Sequence, residues 1–319
     1  MIVHSSQEPD AVRRQLLDAL RLGHVPPKFL YHGERQTAKW LAVHRAYSPS
    51  RTDAGVQSIY DLAFKDSLGQ EAGKPVCLVG LGCGGGQKDT RYLARLKSVH
   101  PTVDYLPCDV SQAMVKVASK QAAAELPLER IHPLVFDLVN VSNLRQLLDG
   151  IISPKIRRVF TFFGMIPNLE PNVILPHLAE TLRDGDQLLL SANLAPGDDY
   201  RHGVETVLPQ YDNAETYDWL LSFMEGLGVP LTAGQLRFGI EEVDEFFRII
   251  ADFVFMKAHN LSVAGESVEF DAGHSLRLFF SYRHTQKTLV NLLAKHGFDV
   301  AGSQVDCSVE EGVFCVKRA

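Results

Sequence analysis

The sequence contains no run of apolar residues long enough to span a membrane, although 45% of its 319 residues are hydrophobic. A transmembrane helix needs about 20 consecutive apolar residues. Residues 1–10 also lack the pattern of a secretory signal peptide. We therefore expect a cytoplasmic protein without a membrane partner.

Cysteine motifs and clustered positive charge are scarce too. The five cysteines form no C-x-x-C motif, and the twelve histidines form no H-x-x-x-H motif, so we expect reduced thiols and no zinc or other metal site. The formal net charge is −6, and no block of lysines and arginines is present. A nucleic-acid partner is therefore not expected. The length suits one large or two modest domains, and the composition predicts no oligomeric state.

The stretch VCLVGLGCGGGQKDT, residues 76–90, is the strongest functional signal in the chain. Its apolar beginning predicts a strand buried on both faces, and residues 87–97 predict a helix. Between them lies a loop rich in glycine: Gly80, Gly82, Gly84, Gly85 and Gly86. Glycines allow tight turns and close approach of the backbone to a ligand, and the free N–H groups of a helix start bind it. The pattern is typical of a nucleotide-like cofactor site.

The glycine spacing is compatible with two cofactors. Gly80, Gly82 and Gly85 satisfy G-x-G-x-x-G, the fingerprint of dinucleotide sites. The shorter spacing that ends at Gly84 fits the G-x-G-x-G loop of methyltransferases that use S-adenosylmethionine (SAM). Both cofactors need a carboxylate for their ribose after the next strand, and Asp109 has that position. The simpler alternative is that Asp109 only helps to start the next helix beside Ser111, a predicted N-cap.

Strands and helices alternate after the glycine loop, which predicts an α/β fold with a parallel, doubly wound sheet. The predicted strands are residues 76–80, 103–108, 133–138, 158–163 and 187–193. The predicted helices are residues 87–97, 111–125, 142–148 and 171–183. Ligands bind at the carboxyl ends of such strands, where Asp137 and Asn168 are found. Asn168 has a simpler alternative as a turn residue.

The pattern changes after residue 193. Helices are predicted at residues 214–227 and 240–254, the second with Glu241 and its acidic neighbours on a solvated face. Further elements are predicted as follows: strands 268–270 and 275–283, helix 284–296, and strands 300–307 and 312–317. A helix and a β-hairpin after five parallel strands are how class I methyltransferase sheets end. This end of the chain favours SAM over a nicotinamide.

Several segments resemble the histidine Nα-methyltransferases of ergothioneine biosynthesis, over about residues 25–298. VPPKFLY and YSPSRTD, within residues 25–53, resemble the family's LPxxYFYD and EYYPTRTE. LGCGGGQK (81–88) and PCDVS (107–111) resemble its cofactor loop and its PVDVS. FFGMIPNLEP (162–171), YDNA (211–214) and SYR (281–283) are similar to FLGSTIGNFEP, YDDA and SYKY.

The resemblance implies a class I, Rossmann-like methyltransferase domain, residues 1–195 and 280–319, with a terminal β-hairpin. Residues 1–70 would form a helical segment over the cleft, and residues 196–279 a smaller inserted α+β substrate lobe. SAM would be bound by Gly80, Gly82, Gly84, Lys88, Asp109 and Asp137, with Asp109 on the ribose and Asp137 near the adenine, and would leave as S-adenosylhomocysteine (SAH). Transfer from a sulfonium needs alignment of the reactants rather than a dedicated base or metal.

The acceptor would be a small molecule. By position, Tyr31, Asn168 and Tyr211 would hold the amino and carboxylate groups of an amino acid, because phenols and an amide supply donors and acceptors without net charge. Tyr31 and Asn168 are the residues expected to position the reacting amine. Burial beside such uncharged groups would favour the unprotonated amine that methylation requires.

The chain departs from the family pattern at three positions. Gly80 stands where the first strand usually ends in an acidic residue, and Ser48 where the family has a second tyrosine. Phe279 aligns with the glutamate that binds imidazole, two residues before Ser281, and a phenyl ring cannot accept that hydrogen bond. We therefore predict methylation of an amino acid or related amine other than histidine, with Phe279 and Ser281 in the substrate site. The alternatives are histidine methylation, a nicotinamide oxidoreductase, and a SAM-binding protein without activity.

Overall fold

The computed structural model describes residues 1–68, 72–263 and 265–319. Two residues of the predicted covering segment, 69 and 70, and residue 264 of the predicted lobe lie outside them. The strands are β1 (Ile2–Val3), β2 (Val76–Leu81), β3 (Val103–Asp109), β4 (Leu134–Val135), β5 (Arg157–Phe163), β6 (Gln187–Asn193), β7 (Gly234–Val243), β8 (Phe246–Phe255), β9 (His259–Val263), β10 (Glu266–Phe270), β11 (Ser275–Arg283), β12 (Phe298–Val305) and β13 (Glu311–Arg318). The α-helices are α1 (Pro9–Arg21), α2 (Glu34–Tyr47), α3 (Pro49–Thr52), α4 (Ala54–Leu68), α5 (Gln87–Val99), α6 (Gln112–Ala122), α7 (Leu144–Ile151), α8 (Pro171–Thr181), α9 (Tyr200–Val207), α10 (Ala214–Gly226) and α11 (Gln286–Lys295).

The main sheet has the strand order β1-β4-β3-β2-β5-β6-β13-β12. Strand β2 pairs in parallel with both β3 and β5, and β5 pairs in parallel with β6. Strand β13 is antiparallel to β6 and to β12. The predicted parallel sheet and its closing hairpin are confirmed. The strand predicted at residues 133–138 is shorter, since only Leu134–Val135 pairs with β3.

Both faces of the main sheet are covered, which explains the uninterrupted apolar run in β2. Every residue of β2 is buried. Helices α7, α8 and α11 contribute to the hydrophobic core on one face, and α4, α5 and α6 contribute to the core on the other. Helix α4, which the sequence patterns did not predict, adds Tyr60 and Phe64 to that second core. Complete burial of one such side chain stabilises the fold by about 2 kcal/mol.

A second, antiparallel sheet has the order β11-β8-β7, and a separate hairpin is formed by β9 and β10. Helices α1 and α10 pack with these strands in a core of their own. The predicted boundary of the lobe at residue 280 falls inside β11, which pairs with β8 along its length.

The helix predicted at residues 240–254 is wrong, because these residues form most of the β7–β8 hairpin. Every second residue of β8 from Ile249 to Phe255 is buried, which is the period of a strand. Apolar residues on the other face of β8 hide this alternation in the sequence. Glu241 does not lie on a solvated helix face either, since it accepts hydrogen bonds from Arg248 of β8 (Nε–Oε2, 2.6 Å) and Arg277 of β11 (Nη1–Oε2, 3.1 Å). Asp244, at the hairpin turn, has a φ of 56°.

The N-terminal segment joins the second sheet to the main one. Trp219 in α10 donates from Nε1 to the Leu30 carbonyl at 3.0 Å. Lys28 forms an ion pair with Asp137 beyond β4, with Nζ and Oδ2 2.6 Å apart and side chains only 9% and 5% exposed. Removal of either partner would leave a buried charge unpaired, which costs about 3–5 kcal/mol.

No helix in the described ranges is long and apolar enough to cross a membrane.

Candidate active site

A cleft of about 1160 Å³ lies where the N-terminal segment, the carboxyl ends of the parallel strands and the second sheet meet. It is lined by most of the residues that the sequence predicted for the site: Tyr31, Gly82, Gly84, Lys88, Asp109, Asp137, Asn168, Tyr211 and Phe279. The other two predicted residues, Gly80 and Ser281, lie behind this surface. Gly80 is covered by the carboxyl group of Asp89, and Ser281 by Tyr211.

The glycine loop after β2 needs glycine for two separate reasons. Gly82, Gly84 and Gly86 have φ values of 68°, 50° and 76°, which side-chain-bearing residues rarely adopt. A Cβ at Gly82 would also lie 2.2 Å from the Met165 sulfur, so a larger residue there would displace the Met165 side chain. The loop therefore brings bare backbone and the start of α5 to the cleft, the arrangement that binds a nucleotide-like cofactor.

Asp109, at the end of β3, is held by backbone donors on both sides. Its Oδ2 accepts from Gly84 N at 3.1 Å, and its Oδ1 accepts from Ser111 N at 2.9 Å. Ser111 also accepts from Met114 N and is the N-cap of α6. Loss of solvent around the carboxyl raises the pKa of Asp109 to about 6, although the backbone donors act in the opposite direction. Asp109 thus fixes the glycine loop and still presents a carboxylate to the cleft.

This raised pKa predicts that cofactor binding weakens in acid. If a ribose hydroxyl donates to the ionised carboxylate, as the sequence predicts, protonation of Asp109 removes the acceptor. Because the pKa of Asp109 is about 6, its protonation alone should make the Kd for SAH about tenfold higher near pH 5 than near pH 8. Calorimetric titrations across this range check it. The dependence should weaken in Asp109→Asn, and a wild-type Kd that stays constant down to pH 5 would contradict the assignment.

Lys88 lies on the opposite side of the glycine loop from Asp109. Its Nζ donates to the Tyr60 hydroxyl at 2.6 Å, lies 4.2 Å from the centre of the Tyr60 ring, and is 3.6 Å from Glu311 Oε1. Tyr60 in turn donates to Glu311. Burial lowers the pKa of Lys88, and the charge of Glu311 opposes that shift. Arg51 donates to Gln87 Oε1 at 2.5 Å and adds a second positive charge at this end of the cleft.

Aromatic rings line another part of the cleft. Tyr31 contacts Trp40 and Trp219, with ring centroids 5.7 and 5.5 Å apart. Phe279 is 6% exposed and contacts Trp219 and Tyr211, with centroids 5.8 and 5.9 Å apart. Burial, and then the charges of Asp109 and Tyr211, raise the pKa of Tyr31, so its phenol remains protonated at neutral pH. We call these five residues, Tyr31, Trp40, Tyr211, Trp219 and Phe279, the aromatic wall.

Asn168 follows β5 in a short 3-10 helix, Ile166–Asn168. Its Nδ2 donates to the Phe280 carbonyl at 2.6 Å, which joins the main sheet to β11. This bond fixes the amide of Asn168, which lines the cleft. The structure therefore brings Tyr31 and Asn168 to the same cleft, as the sequence predicted.

Arg283 is a cleft residue that was not among the predicted site residues. Its guanidinium donates to the Tyr211 hydroxyl at 3.0 Å and to the Leu194 carbonyl at 3.2 Å, and the residue is only 6% exposed. Tyr211 in turn donates to Ser281 Oγ at 3.1 Å. Ser281 thus positions Tyr211 from behind, while Arg283 brings a positive charge to the cleft.

Trp40, Trp219 and Asp89 were also missed. The two tryptophans are the only ones in the chain, and both line the cleft, so their rarity was an available signal. The basic third position of SYR was a comparable signal for Arg283. Nothing in the local sequence indicates a functional role for Asp89, because an acidic residue is common in the first turn of a helix such as α5.

The cleft suits SAM better than a metal-dependent cofactor. Three glycines with positive φ, a carboxylate at the end of the next strand and polar groups along the cleft match the groups of SAM. Within residues 1–68, 72–263 and 265–319, no cluster of three or more His, Cys, Asp or Glu side chains could hold a metal ion.

The fold and the cleft together define the class of the protein. Parallel strands closed by an antiparallel terminal hairpin, with a glycine loop after β2 and a carboxylate after β3, form a class I SAM-dependent methyltransferase. The chain belongs to the family described as "Histidine-specific methyltransferase, SAM-dependent", whose sequence model matches residues 10–318. It is therefore an enzyme that takes a methyl group from SAM and releases SAH, and the nicotinamide alternative is set aside.

Comparison with individual proteins adds little to this assignment. No curated protein matches the chain. Among solved structures, a SAM-dependent methyltransferase from Clostridium acetobutylicum is 12% identical, with 88% of this chain and 98% of that chain covered and a TM-score of 0.47. Mitomycin 7-O-methyltransferase is 15% identical (98% and 70% covered, TM-score 0.49), and a glycopeptide N-methyltransferase with SAM bound is 12% identical (82% and 93% covered, TM-score 0.40). Likenesses at these scores carry no conclusion about the acceptor.

Proposed function

We propose that this enzyme methylates the α-amino group of an amino acid with an apolar, aromatic side chain rather than that of histidine. The observation that carries the proposal is the aromatic wall, with Phe279 packed between Trp219 and Tyr211. Aromatic rings attract one another in edge-to-face and offset arrangements, worth about 0.5–1.5 kcal/mol per pair beyond the buried area. A planar apolar side chain bound here would be stabilised both by burial of its apolar surface and by attraction to the surrounding rings.

The same wall disfavours imidazole. An imidazole carries a donor and an acceptor, and burial of such a group without a partner costs about 1–3 kcal/mol. Phe279 has no acceptor to offer. The hydroxyl of Ser281 already accepts from Tyr211 and lies behind it.

The amine would be positioned by Tyr31 and Asn168. Its N–H groups would donate to the phenol oxygen of Tyr31 and the amide oxygen of Asn168, and both residues are uncharged. Burial beside uncharged groups lowers the pKa of an amine, so that more of it carries the free electron pair that methylation needs. SAM supplies a methyl group whose bond to sulfur breaks as the bond to nitrogen forms. The proton that the methylated amine loses would pass to solvent.

The acceptor's carboxylate would be bound by Arg283 and Tyr211. The guanidinium is buried, is already oriented by Leu194 and Tyr211, and belongs to a residue that lines the cleft. A carboxylate there would satisfy a buried charge, and hydrogen bonds between charged groups are about twice as strong as neutral ones.

For the cofactor, we propose an arrangement that follows the strand order. Asp137, beyond β4, would lie near the adenine, and Asp109, at the end of β3, would accept a hydrogen bond from the ribose. The backbone of Gly82 and Gly84 would lie alongside the cofactor. Lys88 and Arg51 would face the carboxylate of the methionine part. This order supports a cofactor that ends close to Asn168.

Methylation of histidine itself is the second candidate, and the family match favours it. Calorimetry with SAH present separates the two. Phenylalanine, tyrosine, tryptophan, leucine and histidine would be titrated, with phenethylamine as the matched ligand that lacks a carboxylate. We expect an aromatic amino acid to bind at least about tenfold more tightly than histidine and phenethylamine. Preferential binding of histidine would overturn the proposal.

A further inference from the structure

Asp89 occupies the space that a side chain at position 80 would fill. Asp89 lies in the first turn of α5 and is 3% exposed. A Cβ added to Gly80 would lie only 2.2 Å from Asp89 Oδ2, so no larger residue fits at the end of β2 while Asp89 is there. The φ of Gly80 is not in the left-handed region, so the close approach of Asp89 explains this glycine and backbone conformation does not.

The carboxylate of Asp89 is fixed from both neighbouring strands. Its Oδ2 accepts from the Tyr105 hydroxyl of β3 at 2.7 Å, and its Oδ1 accepts from the Thr161 hydroxyl of β5 at 2.7 Å. Both donors are neutral, and the nearby cation Lys88 is itself bonded to Tyr60 and close to Glu311. The negative charge of Asp89 therefore has no direct ionic partner among the described residues, although Asp89 lines the cleft.

The strand order places Asp89 at a particular part of the cleft. Across the sheet, Asp137 follows β4, Asp109 ends β3, Asp89 lies over β2 between β3 and β5, and Asn168 follows β5. If adenine and ribose lie at the first two positions and the acceptor at the last, the methionine part of the cofactor lies at the third. Besides the carboxylate assigned above to Lys88 and Arg51, that part carries an ammonium and a sulfonium, both positive.

We infer that Asp89 is a cofactor-positioning residue, whose carboxylate provides the negative charge for the positively charged methionine end of SAM in place of an acidic residue at position 80. The glycine at position 80 and the aspartate at position 89 are then linked, because Asp89 fills the space that a side chain at Gly80 would occupy. The carboxylate reaches the end of β2 from helix α5 instead of from the strand. The inference rests on the cofactor arrangement proposed above, with the acceptor beside Asn168, and does not depend on which acceptor is methylated.

Binding of two ligands to purified variants tests this role. SAH carries the amino-acid end, whereas 5′-methylthioadenosine lacks it and keeps the adenosine. In Asp89→Asn we expect the Kd for SAH to rise at least about tenfold and that for 5′-methylthioadenosine to change less than about threefold. Tyr105→Phe is the matched control, because it removes one hydrogen bond to the same carboxylate and keeps the charge. It should affect SAH less than Asp89→Asn does.

A relocated carboxylate provides the second test. Gly80→Asp alone should lose SAH binding, because the new side chain collides with Asp89. The double variant Gly80→Asp/Asp89→Ser removes the collision and should bind SAH within about threefold of the wild type, and far better than Asp89→Ser. Equal losses for both ligands in Asp89→Asn would show a purely structural role and overturn the inference. A folded double variant that binds SAH no better than Asp89→Ser would overturn it as well.

Discussion

The Phe279→Glu variant is expected to lose most activity toward aromatic amino acids and to gain activity toward histidine. The new carboxylate would lie between Trp219 and Tyr211, where an apolar ring would leave it without a partner. An imidazole N–H would satisfy it. Sites that require a hydrogen bond discriminate strongly, so kcat/KM for the best aromatic acceptor should fall on the order of 100-fold, with histidine becoming the better substrate.

Phe279→Leu is the matched control for this exchange. It keeps an apolar side chain of smaller size, so activity toward the aromatic acceptor should fall by about tenfold or less, with no gain for histidine. Melting temperatures of both variants show whether a loss reflects unfolding. An unchanged order of acceptors in folded Phe279→Glu would contradict the role given to the aromatic wall.

The Asp109→Ala variant is expected to lose about 100-fold in affinity for SAH. The change removes the proposed ribose acceptor and also the hydrogen bond that fixes Gly84 N in the glycine loop. Loss of a charge-assisted hydrogen bond costs about 1.5–3 kcal/mol, and the disordered loop adds to this. Calorimetry with SAH measures the effect without any need for the acceptor.

Asp104→Asn is the control for Asp109→Ala. Asp104 is buried in the same strand, but it bonds Arg130 and His132 away from the cleft. Its replacement should lower the melting temperature and leave the Kd for SAH close to that of the wild type. Similar SAH affinities for Asp109→Ala and Asp104→Asn would contradict the placement of the ribose at Asp109.

Much of the sheet could be predicted from the sequence because its signals are local. The apolar run of β2, the glycines after it and Asp109 after β3 stand in a fixed order along the chain, and the structure confirms that order. The β7–β8 hairpin was mistaken for a helix because both of its faces carry apolar residues. Helix α4 lies within residues 1–70, which were predicted to be helical as a whole, but it was not predicted as a separate helix.

Site residues that occupy fixed positions in the sequence motifs could be predicted. Site residues whose role depends on how the elements pack together could not. Tyr31, Asn168 and Phe279 follow from the family resemblance, and all three line the cleft. Ser281 and Arg283 are two residues apart on β11 and share a face of the strand, and both bond the hydroxyl of Tyr211, but only Arg283 lines the cleft. Which of the two reaches the cleft depends on how deeply each is packed, and the motif SYR does not contain that information. The role inferred for Asp89 depends on its contact with Gly80, nine positions earlier in the chain. That contact forms only when helix α5 packs against strand β2, so the sequence alone does not reveal it.

The most direct measurement is methyl transfer from SAM with a deuterated methyl group to each common amino acid, with products identified by mass spectrometry. The account predicts a labelled N-methyl product from an aromatic amino acid, formed at least about 100-fold faster than any product from histidine. Preferential labelling of histidine would contradict the proposed acceptor. Binding of SAH without labelling of any aromatic amino acid would contradict it equally.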